Sequence, residues 1–132
     1  MKIRVVSKRD EIQNLDTGEK VIHLAFRPSN EDIFTLIKRC KGVEVIQIPT
    51  SYRRTVSKSI EMFLDMQGIR RVEGDVWGHR KDINEYYSIS PAVLERIKEM
   101  KSEGIADDEV AERLSRESKL NREMLLYILE KS

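Results

Sequence analysis

GEKVIHLAFRPSNEDIFTLIKRCKGVEVIQI, residues 18–48, reads as a turn, a strand, a helix, a second turn and a second strand. Residues 21–26 form a β-branched and apolar run, and residues 43–48 form another. Between them Ile33, Leu36, Ile37 and Cys40 recur at i, i+3, i+4 and i+7, the stripe of a helix packed by one face. Ser29 with Asp32 three residues later marks the helix start, and Gly42 is placed to end it in left-handed geometry. Two strands joined through one helix pair in parallel, because the crossover returns the chain to the same end of the sheet.

The same alternation extends in both directions. Residues 3–6 are a short strand, and residues 8–15 a short helix with Ile12 and Leu15 on one side. Val56, Ile60, Phe63 and Leu64 give the next helical stripe, and residues 69–76 a last strand. Glycines at 18, 42 and 68 punctuate the series at spacings of 24 and 26 residues. Each precedes an apolar-x-x-apolar-x-apolar pattern: Val21, Leu24, Phe26; Val43, Ile46, Ile48; and Ile69, Val72, with Gly74 in the third place. This period resembles the strand motif of leucine-rich repeats over residues 18–76, without the Asn or Cys that ladders the following turn. An ordinary small α/β sandwich with a parallel sheet gives similar periods, so both readings stand.

Residues 75–90 read as a connector, and three short helices follow. Ser90-Pro91 is a cap with proline at the first helical position; Val93 or Leu94, Ile97 and Met100 lead to Gly104. Asp107 is expected to cap a second helix with Val110, Ala111 and Leu114. Asn121 is expected to cap a third, with Leu120 and Leu125 as a hydrophobic staple. The expected fold is α/β, a small parallel sheet of leucine-rich-repeat-like units in residues 1–85, followed by a three-helix segment in residues 86–132.

Composition narrows the function. In 132 residues, 24 Lys and Arg face 23 Asp and Glu, a net charge of +1, which excludes a global cationic footprint but not a local patch. No apolar run is long enough to span a membrane, and Met1-Lys2-Ile3-Arg4 alternates rather than opening a signal peptide. The single Cys40 cannot form an internal disulfide, which fits a cytoplasmic protein, and it completes a helical apolar stripe as a buried thiol would. His23 lies at an x position of its strand, where a surface or interface role is expected. Neither His23 nor His79 has a second ligand at helical spacing, so no metal, cofactor or catalytic residue is nominated. His79 with Asp82 is a base-and-orienter pair lacking a nucleophile, which leaves an enzyme open but disfavoured.

Ligands of parallel α/β sheets gather outside the carboxyl ends of the strands. All three post-strand segments here are polar and cationic. Arg27, Ser29 and Asn30 follow the first strand of the quoted stretch; Ser51, Tyr52, Arg53 and Arg54 follow the second; Trp77, His79, Arg80 and Lys81 follow the third. In register they form a rim in which guanidinium groups and helix N-termini bind phosphate and the aromatic rings stack on bases. Glu31 and Asp32 are placed to neutralise Arg27 within its own loop.

The last 42 residues resemble a helix-turn-helix, with Ala111 at the helix crossing and Asn121, Arg122 and Tyr127 placed to reach DNA. Residues 116–119 lengthen the turn, however, and residues 91–132 hold 8 Lys and Arg against 10 Asp and Glu, a net of −2, whereas residues 1–90 are +3. A helical bundle for packing or dimerisation is the competing reading. Over the whole chain, the segments 22–30, 48–52 and 74–86 resemble an archaeal family from methanogens known as a domain of unknown function. The resemblance implies a cytoplasmic archaeal protein and no activity. The sequence thus points to a nonenzymatic nucleic-acid-associated or regulatory protein. The alternatives are a module whose strand face and acidic helices contact a partner protein, as a possible homodimer, and a small phosphate or nucleotide binder.

Overall fold

In the computed structural model, the described residues are 1–75, 86–118 and 120–131, with residues 53–55 described in backbone alone. Four parallel strands, β1 (Lys2–Val6), β2 (Val21–Leu24), β3 (Val45–Ile48) and β4 (Arg70–Glu73), lie side by side in chain order. Their connections are a 3-10 helix (Arg9–Asn14), helix α1 (Asn30–Arg39), and a 3-10 helix (Thr50–Thr55) followed by helix α2 (Lys58–Met66). Consecutive parallel neighbours joined by crossovers of one hand place every connection on the same face. That face is a single core in which Val6, Ile22, Leu24, Ile46 and Ile48 meet Ile12, Leu15, Ile33, Leu36, Cys40, Ile60 and Leu64.

The repeat is real, but its register differs from the motif alignment. Val21 stands opposite Val45, not Val43, and Ile22 aligns with Ile46 and then Arg71. Val43 precedes β3 and turns into the helix-side core, whereas Val21 points to the other face. The glycines also divide. Gly68 and Gly104 take left-handed φ values of 72° and 79°, whereas Gly42 does not, because α1 already ends at Cys40 with φ −110° and ψ 76°.

Residues assigned to the connector contribute a fifth strand, β5 (Tyr86–Ser88), which pairs antiparallel with β1 at the edge opposite β4. Tyr86 Oη donates to Glu19 at 2.7 Å, and this hydrogen bond, with burial, pushes its phenol up to about 12.

Helices α3 (Pro91–Ser102), α4 (Asp107–Glu117) and α5 (Arg122–Glu130) cover the second face of the sheet. Ile3, Val21, Val45 and Val72 pack there against Ile97, Met100, Val110, Ala111, Leu114, Met124, Leu125 and Ile128. Ser90 caps α3 ahead of Pro91, and Asn121 caps α5 with the Leu120–Leu125 staple buried. Asp107 is not a cap: Ala106 holds that position and Asp107 opens the first turn of α4. The outer side of α5 is tied to the sheet. Tyr127 Oη donates to Glu44 at 2.9 Å, Lys131 pairs with Glu44 at 3.0 Å, Arg70 pairs with Glu130, and the Glu123 carboxylate takes the Glu73 backbone N–H at 2.8 Å. His23, expected at a surface or interface, is 2% exposed because this helical layer covers its face.

Candidate nucleic-acid interface

The carboxyl ends of β2, β3 and β4 deliver their following segments to one edge of the sheet. Arg27, exposed after β2, lies with its guanidinium 5.9 Å from the ring centroid of Tyr52, on the 3-10 helix after β3. A cation at that distance from an aromatic face is attracted to the ring. Asn30 begins α1, and its Oδ1 accepts from Ser57 Oγ at 3.4 Å. Arg53 and Arg54 lie on the same 3-10 helix as Tyr52; their side chains are outside the described residues, as are Trp77, His79, Arg80 and Lys81. Ser51 is exposed on that helix.

Asp32 does not neutralise Arg27. Its two oxygens face Arg9 Nε at 2.9 and 3.0 Å, and it closes a capping box with Ser29: Ser29 N–H donates to Asp32, and Asp32 N–H to Ser29 Oγ. Burial alone would raise the Asp32 carboxyl, but the bonds from Arg9 and Ser29 hold it below the usual range. Ser29 is thereby committed to the helix start.

The helix-turn-helix residues fall in two environments. Asn121 Oδ1 takes the Glu123 N–H at 3.0 Å, and the Arg122 guanidinium lies 3.3 Å from Asp108 and 4.0 Å from Glu112. Tyr127 is 5% exposed and faces the sheet between Arg70 and Lys131; burial and the bond to Glu44 raise its phenol far above the ordinary value. The outward stripe of α4 pairs its own cations, Arg113 with Glu109 and Arg116 with Glu112. Because α3–α5 cover the strand face, a partner protein does not find that face open.

A cleft of about 570 Å³ joins the rim to the helical layer, lined by Thr50, Gly74, Asp75, Ser115, Leu120, Asn121 and Arg122. Of these, only Asn121 and Arg122 are nominated by the sequence as site residues. Gly74 did carry a signal, since it stands where the third apolar residue of the motif is expected. A Cβ there would lie 2.6 Å from Gln47 Nε2 and 2.9 Å from Asn121 Cβ, so only glycine lets β4 end against α5. Behind it Gln47, fully buried, meets His23 Nδ1 through Oε1 at 2.8 Å. Cys40 is buried and donates to the Asp16 carbonyl at 3.3 Å; burial raises the thiol, which therefore stays protonated and structural.

A mostly parallel five-stranded sheet, with connecting helices on one face and three C-terminal helices on the other, defines a mixed α/β protein. The chain belongs to the DUF1699 family. Residues 2–85 match the "Family of unknown function (DUF1699) N-terminal domain", and residues 92–130 match the "Protein of unknown function (DUF1699) C-terminal HTH domain". No curated protein and no solved structure matches the chain. Among the described residues no helix is long and apolar enough to cross a membrane.

Proposed function

We propose that this is a nonenzymatic, cytoplasmic nucleic-acid-associated protein that grips phosphates with the carboxyl rim of residues 1–85, while residues 86–132 roof the sheet and fix the rim's geometry. The observation carrying this reading is Arg27 stacked on Tyr52 at the carboxyl edge while Asp32, one of the two acids close to it in sequence, is held by Arg9. Arg53 and Arg54 share Tyr52's 3-10 helix. The helix-turn-helix layer supports a nucleic-acid context by family, yet its outward arginines are paired and its Tyr127 faces inward, so the rim carries the binding.

The test is fluorescence anisotropy of labelled double-stranded DNA, single-stranded DNA and RNA at graded salt. Arg27→Ala and the Arg53→Ala/Arg54→Ala pair each weaken binding and flatten the log–log salt slope, by roughly 0.7–0.9 for each phosphate no longer neutralised. An unchanged slope in both variants removes the rim as the binding surface.

A further inference from the structure

The helices on the first face of the sheet carry apolar surface on their outer side. α1 joins β2 to β3 and α2 joins β3 to β4, so the two helices lie side by side and run in the same direction. Their inward stripes fill the core: Ile33 and Leu36 from α1, Ile60 and Leu64 from α2. Outside those stripes Phe34 is 40% exposed, Met62 65% and Met66 81%, three of the four large apolar side chains left exposed among the described residues. The Phe34 and Phe63 rings meet edge to face at 4.9 Å across the groove between α1 and α2, and neither belongs to the core beneath. Met66 lies one turn beyond Met62 on the same side of α2. An apolar patch of this kind, rimmed by charge, marks a surface that binds another surface.

The charges around the patch say which surface that is. On α1 an acid precedes the apolar centre and a base follows it, Glu31, Phe34 and Lys38; on α2 the order is reversed, Lys58, Met62 and Asp65. In each helix the acid and the base stand two turns apart, so both flank the patch on one side of the helix. All four charged residues are exposed, and none makes an ion pair among the described residues. A nucleic acid or an anionic membrane meets repulsion at two of these four corners. A second copy of the same face, turned over about a two-fold axis perpendicular to the helices, meets none. That turn sets Glu31 of each copy beside Lys38 of the other, and Lys58 beside Asp65. It also lays α1 antiparallel on α1 and α2 antiparallel on α2, the favourable order for helix dipoles. Phe34 and Met62, each the fifth residue of its helix, then meet their own counterparts near the axis.

We propose that the outer face of α1 and α2 is the self-complementary interface of a two-fold homodimer. The footprint is small: helices of ten and nine residues are about 15 and 14 Å long at 1.5 Å per residue. That places the interface at the low end of specific ones, so the dimer is reversible and forms in the micromolar range. The antiparallel arrangement leaves one carboxyl rim at each end of the pair. The inference goes beyond the rim reading and stands or falls separately from it.

The experiment is sedimentation velocity of the full chain from micromolar to millimolar concentration, without nucleic acid. The expected result is a monomer–dimer equilibrium with no larger species, because an isologous interface closes on itself. Met62→Ser with Met66→Ser raises the dissociation constant tenfold or more and leaves far-ultraviolet dichroism unchanged, since both side chains are exposed. Arg113→Gln, on the exposed face of α4, leaves the dimer intact. Charge exchange reads the pairing itself: Glu31→Lys weakens the dimer, and adding Lys38→Glu to the same chain restores it, which a merely apolar contact would not do. A monomer at every concentration overturns the proposal, and one that sediments with phosphatidylcholine vesicles assigns the face to a lipid surface instead. A dimer indifferent to the methionine pair overturns this face as the interface. Rescue of Glu31→Lys by Lys58→Glu, and not by Lys38→Glu, overturns the antiparallel pairing. Arg27→Ala leaves the dimer unchanged, so failure of the interface and failure of the rim are told apart.

Discussion

At Gly74 the end of β4 lies close against the start of α5, and the cost of changing it follows from distance. A methyl group there falls 2.6 Å from Gln47 Nε2 and 2.9 Å from Asn121 Cβ, both inside contact range and the second on the cap residue of α5. Gly74→Ala is expected to lose about 1–3 kcal/mol, the usual penalty of overpacking. Gly42 is the matched control: nothing lies within 4 Å of a Cβ there and its φ is not left-handed, so Gly42→Ala is neutral or slightly stabilising. Urea midpoints of the two variants against the parent check the pair; a neutral Gly74→Ala would show that α5 yields at this point. Gly74 was legible only as a defect in a repeat. Its reason, the approach of Asn121 from 47 residues further on, is a tertiary fact that no local pattern encodes.

At the scale of elements, α1 has the best-defined start in the chain, and it makes stability depend on acid. The Asp32 carboxyl is held below its usual range in the folded protein by Arg9 and Ser29. A carboxylate with a depressed folded value contributes stability that is present above its unfolded value near 4 and is lost as pH falls through the folded value. Urea midpoints of the parent should therefore drop between pH 5 and pH 3 more than those of Asp32→Asn, which starts lower and changes less over that window. Equal slopes would remove Asp32 as a source of acid sensitivity. The capping box was readable because its two partners are three residues apart; the bridge to Arg9 was not, since 23 residues separate them. β5 escaped for another reason. Three residues, Tyr86–Ser88, are too short to show alternation, and only the open edge of β1 makes them a strand. The slipped register has a related cause: Val43 ahead of β3 and Ile69 ahead of β4 mimic the strand's own period, and only the face on which each packs tells Val43 from Val45.

At the scale of the molecule, the sheet is apolar on both faces and each face has its own helical cover. Patterning along the chain revealed the βα order and the three terminal helices, because helix stripes and caps are local. It did not reveal their docking: Val21, His23, Val45 and Gln47 look like an outward set until α3–α5 are laid over them. Removing residues 91–132 is expected to expose that set, so the remaining chain should bind a hydrophobic dye and associate, whereas the full chain unfolds in one transition by far-ultraviolet dichroism. A soluble, dye-silent fragment with its own sharp transition would show that the sheet stands without its roof. Leucine-rich arrays use the strand face for binding; here that face is filled from within the chain, which moves the available chemistry to the carboxyl rim.

The small bond from the Glu73 N–H to the Glu123 carboxylate bears on how this protein survives at high concentration. β4 is an open edge, and β3 already engages Arg70 and Gly74 through their N–H groups, so Glu73 is among the donors turned outward. A side chain from α5 occupies that donor, and guanidinium groups at Arg70 and Arg71 flank it. An edge of four residues, stoppered at one end and charged along its length, is a poor template for a strand from another molecule. The roof over the sheet therefore also acts as a guard against fibril growth, and Glu123→Ala should shorten the lag of aggregation before it measurably alters the fold.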